Sequence, residues 1–290
     1  VAAAQYPIEF LETWPRFEAK LRRLVAKAAD AGASLLVFPE YGSMELASLF
    51  PKEVYSDLAM QLDSLQSLFA PYRSLYSELA RDHGVYISAS SFPERVDAEY
   101  HNRVYLFSPD GGEGFQEKLV MTRFENERWL ISKGEGIKVF ETQLGRIGID
   151  VCYDIEFPLI ARAQAEAGVQ VILAPSCTDT LAGYHRVRVG CQARALENQC
   201  YVVQAPTVGE ALWSEAVDFN VGAAGIYTPP DRGLPDDGVL AIGELNKPQW
   251  VFADLDLEAI DRVRREGQVF NARDWEEQLN AVTPATIFPL

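Results

Sequence analysis

Twice in this chain a short apolar run, a helical stretch closed by glycine and a second apolar run follow one another at close spacing. Val1-Ala2-Ala3-Ala4-Gln5 reads as a strand closed at Pro7. From Trp14 to Ala31, Phe17, Leu21, Leu24, Val25 and Ala28 share one helical face, and Gly32 stops the helix. Leu35-Leu36-Val37-Phe38 returns as a buried strand ending at Pro39-Glu40. Strand, helix and strand at this spacing form a βαβ unit with parallel pairing and a right-handed crossover. Ala165-Glu166-Ala167-Gly168 before Val171-Ile172-Leu173-Ala174-Pro175 echoes Ala29-Asp30-Ala31-Gly32 before Leu35 to Pro39. The echo predicts two βαβ halves about an approximate twofold, with the first strand matching Ile147–Val151. Glu40 and Ser176 would then leave the sheet at equivalent points, close to Cys152.

The remaining elements fit the same plan. Leu58, Leu62, Leu65 and Leu68 predict helix, interrupted at Pro71. Val85–Ala89, Arg103–Phe107, Tyr201–Gln204, Gly222–Tyr227 and Val251–Leu255 read as strands, and Val139–Thr142 pairs with Ile147–Val151 as a hairpin. Residues 119–136 read as a long charged loop, a length that in a compact domain usually serves function. A helix and an extended tail follow Glu258. With no linker or composition shift, residues 1–290 read as one α/β domain: a four-layer α-β-β-α sandwich of two mixed sheets with outer helices.

Composition narrows the function. The 290 residues are 48% hydrophobic and 23% charged, with a formal net charge of −16. That charge argues against nucleic acid and against an anionic membrane, both of which need a basic face. No apolar run is long enough to cross a bilayer. The four cysteines, Cys152, Cys177, Cys191 and Cys200, do not form a disulfide framework, so a reduced, cytoplasmic protein is expected. The chain opens directly in a strand, and natural residues are expected before Val1.

Three polar residues sit at the ends of apolar strands: Glu40, Lys118 and Cys152. Each alone has a bland reading, as a helix-start acid, an edge lysine and a small buried hydrophobe. Together they supply a base, a cation and a nucleophile, the set that covalent acyl transfer needs. A free thiol near pKa ~8.5 and a glutamate near ~4.3 differ by roughly 6 kcal/mol, a gap that burial of the acid would narrow. Burial calls for a counter-ion, and a lysine ammonium can also face the oxyanion of a tetrahedral intermediate. The cluster requires all three to meet around one reactive carbon, with the sulfur open to it. No Gly-x-Ser-x-Gly, Cys-x-x-Cys or His-Glu-x-x-His occurs, so neither a serine-hydrolase elbow nor a metal site is expected. A Cys/His dyad with His185 is an alternative, but His185 lies beside Arg186 and Arg188 in a helical run and reads as a surface or supporting residue.

Phe38-Pro39-Glu40, Glu117-Lys118-Leu119 and Val151-Cys152-Tyr153-Asp154 resemble, in order and spacing, the three blocks of the nitrilase superfamily, the carbon–nitrogen hydrolases. The resemblance implies Glu40 as general base, Cys152 as nucleophile and Lys118 as oxyanion partner with the backbone N–H of Tyr153. It also implies a second glutamate seven residues before a glycine. Glu127 stands so before Gly134 and is preferred over Glu125 as the acid that orients Lys118. Two departures are visible. Phe157-Pro158-Leu159 replaces the usual Phe-Pro-Glu, and the loop from Met121 to Trp129 lacks the His-Leu that often follows the lysine.

Cys152-Tyr153-Asp154 is similar to the amidases of small linear amides more than to nitrilases. The expected reaction is therefore hydrolysis of a small amide or N-carbamoyl compound through a Cys152 thioester, with water as second substrate and no cofactor. A nitrilase and a non-catalytic scaffold on the same fold are the alternatives. Tyr41, Phe124, Tyr153, Cys177 and Thr178 border the strand ends and are the candidate substrate contacts. Arg123 is a weaker candidate, for a substrate carboxylate. The resemblance also implies a homodimer, with the tail after Leu257, including Ile287-Phe288-Pro289-Leu290, reaching across.

Overall fold

In the computed structural model, residues 1–282, 284–285 and 287–288 are described, with Asn280 described by its backbone alone. The strand Ala2–Pro7 lies at the centre, because no charged side chain interrupts it and its Ala side chains let helices approach closely. Its first half pairs in parallel with Leu35–Val37 and antiparallel with Gln249–Phe252. Its last residues, Tyr6 and Pro7, pair instead with Thr207 and Val208 of the strand Tyr201–Glu210. That change of neighbour joins two wings into one curled, mixed sheet of 15 strands flanked by helices. The expected pair of separate sheets is thus corrected: hydrogen bonding runs continuously through Tyr6 and Pro7.

The first wing runs outward through Leu35–Val37, Tyr86–Ser88, Glu99–Phe107 and Phe92–Val96. The second runs through Tyr201–Glu210, Val171–Ser176, Gly145–Ile149 and Val139–Thr142. In each wing a strand, a helix and a parallel strand appear as the echo predicts: Ala2–Pro7 with Leu35–Val37, and Gly145–Ile149 with Val171–Ser176. Strand alternation sends successive side chains to opposite faces. Leu36, Phe38 and Ile87 share a core with Phe17, Leu21, Val25, Leu65, Tyr72 and Tyr76 of the helices Trp14–Asp30 and Leu58–His83. Ala3, Leu35, Val37, Val104 and Leu106 share the other with Ile147, Ile149 and Leu173 of the second wing.

Pro71 does not end its helix, which runs unbroken from Leu58 to His83. The proline removes one backbone donor, but Leu62, Leu65, Tyr72, Leu75, Tyr76 and Leu79 bury along both halves of the helix, and that shared burial outweighs one lost bond. The start of the tail packs on its own domain. The helix Leu257–Glu266 buries Ala259, Ile260 and Val263, and Arg264 donates to the carbonyls of Val169, Asn198 and Gln199. Arg162 then reaches the carbonyl of Ala272 and lies over the Trp275 ring. The tail to Trp275 therefore docks on its own chain. Ile287 and Phe288 are exposed, and Pro289 and Leu290 lie outside the described residues.

Candidate active site

Phe38-Pro39-Glu40 extends the strand Leu35–Val37, Lys118 follows Glu113–Glu117, and Val151-Cys152 follows Gly145–Ile149. All three leave their strands to meet at one place. Tyr41 and Cys152 each take a left-handed backbone, at φ +53° and +50°, and each leads into a 3-10 turn. For residues other than glycine this conformation carries strain, which a fold retains where direction matters. Here it turns the chain at once, so that Glu40 and Cys152 converge. The two strained turns follow different strands of their βαβ halves, Tyr41 the second strand of the first and Cys152 the first strand of the second.

Lys118, 1% exposed, lies between two carboxylates: its Nζ is 2.8 Å from Glu40 Oε1 and 2.6 Å from Glu125 Oε2. The partner acid is thus Glu125, and the expectation of Glu127 is corrected. Residues Glu125–Trp129 form a single π turn, which places Glu125 and Trp129 inward and leaves Asn126, Glu127 and Arg128 outside. Glu127 pairs with Arg123 at the surface, 2.8 Å away. Glu125 is held by the Tyr41 hydroxyl at 2.6 Å and by the Thr122 N–H and hydroxyl at 2.9 and 2.8 Å. Gly134 retains a structural role: its N–H donates to the Lys118 carbonyl, and a Cβ there would meet Glu117 Cβ at 2.3 Å.

Glu40 is 1% exposed, and its Oε2 accepts the Cys177 N–H at 3.1 Å. Burial pushes its carboxyl up to about 7, against the pull of Lys118 and with the push of Glu125. Lys118 is held well above its ordinary value: burial opposes the charge, but Glu125 and Glu40 outweigh it. Glu125 falls below its ordinary range, since the Lys118 charge outweighs burial. Burial and the Glu40 charge push the Cys152 thiol well up, so the proton rests on sulfur. The thiol donates to the Cys177 carbonyl, at 3.8 Å, and also faces the Glu40 carboxylate. Cys152 is only 5% exposed, so the open sulfur of the sequence reading is corrected to a nearly closed one.

The other candidates divide. Tyr41 is 4% exposed and serves Glu125, with its ring 4.6 Å from that of Trp129. Phe124, half-buried, packs against Trp129. Tyr153 is half-buried and edge-on to Phe157, and its N–H lies in the first turn of the 3-10 helix, where intrahelical acceptors are lacking. The Cys177 thiol reaches Asn220 Oδ1 at 3.5 Å and is pushed up to about 12 by burial and Glu40, which makes it a poor second nucleophile. Thr178 bonds the Val221 carbonyl and so anchors the neighbouring strand. Two residues escaped the sequence reading. Asp154 accepts the N–H groups of Leu119 and Val120, tying the cysteine turn to the chain after Lys118. Asn102 donates to Glu40. The only sequence signal for Asn102 was a neutral polar residue entering an apolar strand.

Residues 1–244 match the family model for carbon-nitrogen hydrolase. The chain belongs to that family. Among curated relatives, a probable hydrolase, YhcX, of Bacillus subtilis is 36% identical over 274 residues, covering 94% of this chain and 53% of that protein. The chain thus spans about half the length of that relative. An omega-amidase, NIT2, of Xenopus tropicalis is 26% identical over 254 residues, 84% of each chain. In structure, this chain superposes on a carbon-nitrogen hydrolase from Helicobacter pylori with a TM-score of 0.74 at 21% identity, over 91% of both chains. An amidase from Nesterenkonia sp. AN1, with acrylamide added at its active-site cysteine, matches at 0.65 and 22% identity over 97% and 98% of the two chains. These likenesses extend the shared fold across nearly the whole hydrolase. In place of the family's usual acid, position 159 holds a leucine at the start of the helix Pro158–Glu166, 71% exposed.

Proposed function

We propose that this hydrolase cleaves a small linear amide or N-carbamoyl compound through a thioester on Cys152. One observation carries the reading: a buried ammonium contacts two buried carboxylates beside a thiol at a strained turn. Glu40 is the base. Because both Glu40 and the thiol are pushed up, no thiolate is stored. The proton passes to Glu40 as the carbon–sulfur bond forms. Lys118 and the Tyr153 N–H face the oxyanion, and Glu125 holds Lys118 in place. Glu40 then returns the proton to the departing ammonia or amine, and later draws one from the water that releases the acid.

The nearly closed sulfur supports a small, slender substrate rather than a polypeptide. Tyr41 acts through Glu125 in this reading. Phe124, Tyr153, Cys177 and Thr178 remain the candidate contacts. The curled sheet's wings are taken as the inner layers of an α-β-β-α sandwich, and a homodimer is proposed. Free cysteines at 152, 177, 191 and 200 fit a reducing cytoplasm. Among the described residues no helix is long and apolar enough to cross a membrane.

The test is mass spectrometry of protein quenched during turnover of amides, ureides and nitriles. An acyl adduct on Cys152 with amide or ureide is expected. Full turnover by Cys152→Ala would sink the proposal, and turnover of nitriles alone would favour the nitrilase alternative. A thiol that resists alkylation at every pH would favour the scaffold alternative.

A further inference from the structure

We infer that Asn102 is a positioning residue for this reaction: its side chain clamps the Glu40 carboxylate while its backbone carbonyl clamps Lys118, so one residue sets the base against the cation. The inference rests on the triad reading above and adds a residue to it. Asn102 is fully buried on the strand Glu99–Phe107, between Pro93 of one neighbouring strand and the end of the Arg103–Glu117 ladder on the other. Its Nδ2 donates to Glu40 Oε1 at 3.0 Å. Its carbonyl accepts the Lys118 N–H at 2.9 Å.

The chemistry settles which way the amide points. A carboxylate can only accept, so Asn102 presents its NH2 to Glu40. Its Oδ1 is then buried without a partner among the described residues. An apolar residue of the same shape would carry no such burden. The donor is therefore what the site uses.

The donor also selects an oxygen. Glu40 Oε1 receives both Asn102 and Lys118, whereas Oε2 receives the Cys177 N–H. The Cys152 thiol lies beside the Cys177 carbonyl and next to Glu40. With Oε1 occupied twice, Oε2 is the oxygen that takes the thiol proton. Glu40 is faced by Lys118, Glu125, Cys152, Cys177 and Tyr41. Among these Lys118 is the cation, and Asn102 is a neutral donor that favours the carboxylate form.

The test is the pH dependence of Cys152 alkylation by iodoacetamide, with kcat and KM profiles, in Asn102→Leu and Asn102→Asp. Loss of the donor is expected to move the acid limb up by about one to two pH units. It is expected to lower kcat by roughly tenfold or more, with little change in KM. Asn102→Asp keeps the shape and sets a second carboxyl against Glu40, so the limb moves up there too. A folded variant whose limb stays at the wild-type position overturns the inference, even if its stability falls. Failure of both variants to fold also counts against it, since the residue would then be retained for stability. Full turnover by Cys152→Ala would instead fell the triad reading, so the two failures are distinguishable.

Discussion

The Glu125 carboxylate lies 2.6 Å from the Lys118 ammonium, and both side chains are almost wholly buried. A buried cation left with one of two partners loses both its charge balance and its aim. Glu125→Gln is therefore expected to lower kcat by roughly 10²-fold or more, with the alkylation rate of Cys152 changed far less. Glu127→Gln, on the exposed side of the same turn, is expected to leave kcat nearly unchanged. Steady-state kinetics of the two variants decide it, and equal losses would refute the assignment.

Tyr41 touches that acid through its hydroxyl alone, at 2.6 Å. Tyr41→Phe keeps the ring against Trp129 and removes one hydrogen bond to a charged group. A kcat loss on the order of tenfold with an unchanged KM is expected. A raised KM with unchanged kcat would restore Tyr41 as a substrate contact.

Activity should depend on the ionisation of Glu40, which burial pushes up to about 7. In the proposed reaction the carboxylate is the base, so kcat/KM should fall about tenfold per unit as pH drops below that value. A pH profile measures it. An acid limb near pH 4 would mean that Glu40 ionises as an ordinary glutamate.

Stability should run the other way. Burial pushes Asp150 up to about 8 and Asp154 up to about 6. Each binds its proton more tightly folded than unfolded. Their contribution is present below the unfolded value of 3.8 and is lost as pH rises through the folded values. The loss is on the order of a few kcal/mol between about pH 4 and 8. Urea midpoints should fall across that range, and less so in Asp150→Asn. A midpoint that rises with pH would contradict the burial of these acids.

Gly134 lets the loop lie directly on the lysine strand. In Gly134→Ala the new Cβ would stand 2.3 Å from Glu117 Cβ and 2.7 Å from the Lys118 carbonyl. Overpacking against backbone costs about 1–3 kcal/mol. Both the melting temperature and kcat should fall, the second because Lys118 moves. A variant with wild-type melting and wild-type kcat would show that the loop yields freely.

Glu40, Lys118 and Cys152 were legible because each is a polar residue at the end of an apolar strand, and strand ends are where α/β sheets place their chemistry. Glu125 was not legible. Counting back from Gly134 assumes an ordinary turn, whereas the π turn from Glu125 to Trp129 changes which acid faces inward. Asn102 was hidden for a different reason: its partner is 62 residues away, and only the sheet brings them together. The helix through Pro71 shows tertiary burial overriding a local breaker.

By itself the sequence determined the two βαβ halves, the strand ends that carry Glu40, Lys118 and Cys152, and the family, because these rest on local periodicity and short ordered motifs. Only the tertiary structure decided that Tyr6 and Pro7 join the wings into one sheet, that Glu125 rather than Glu127 serves Lys118, and that the thiol is nearly closed. These depend on pairings between segments far apart in the chain, and on which side of a turn faces inward. Local residue patterns do not encode either one.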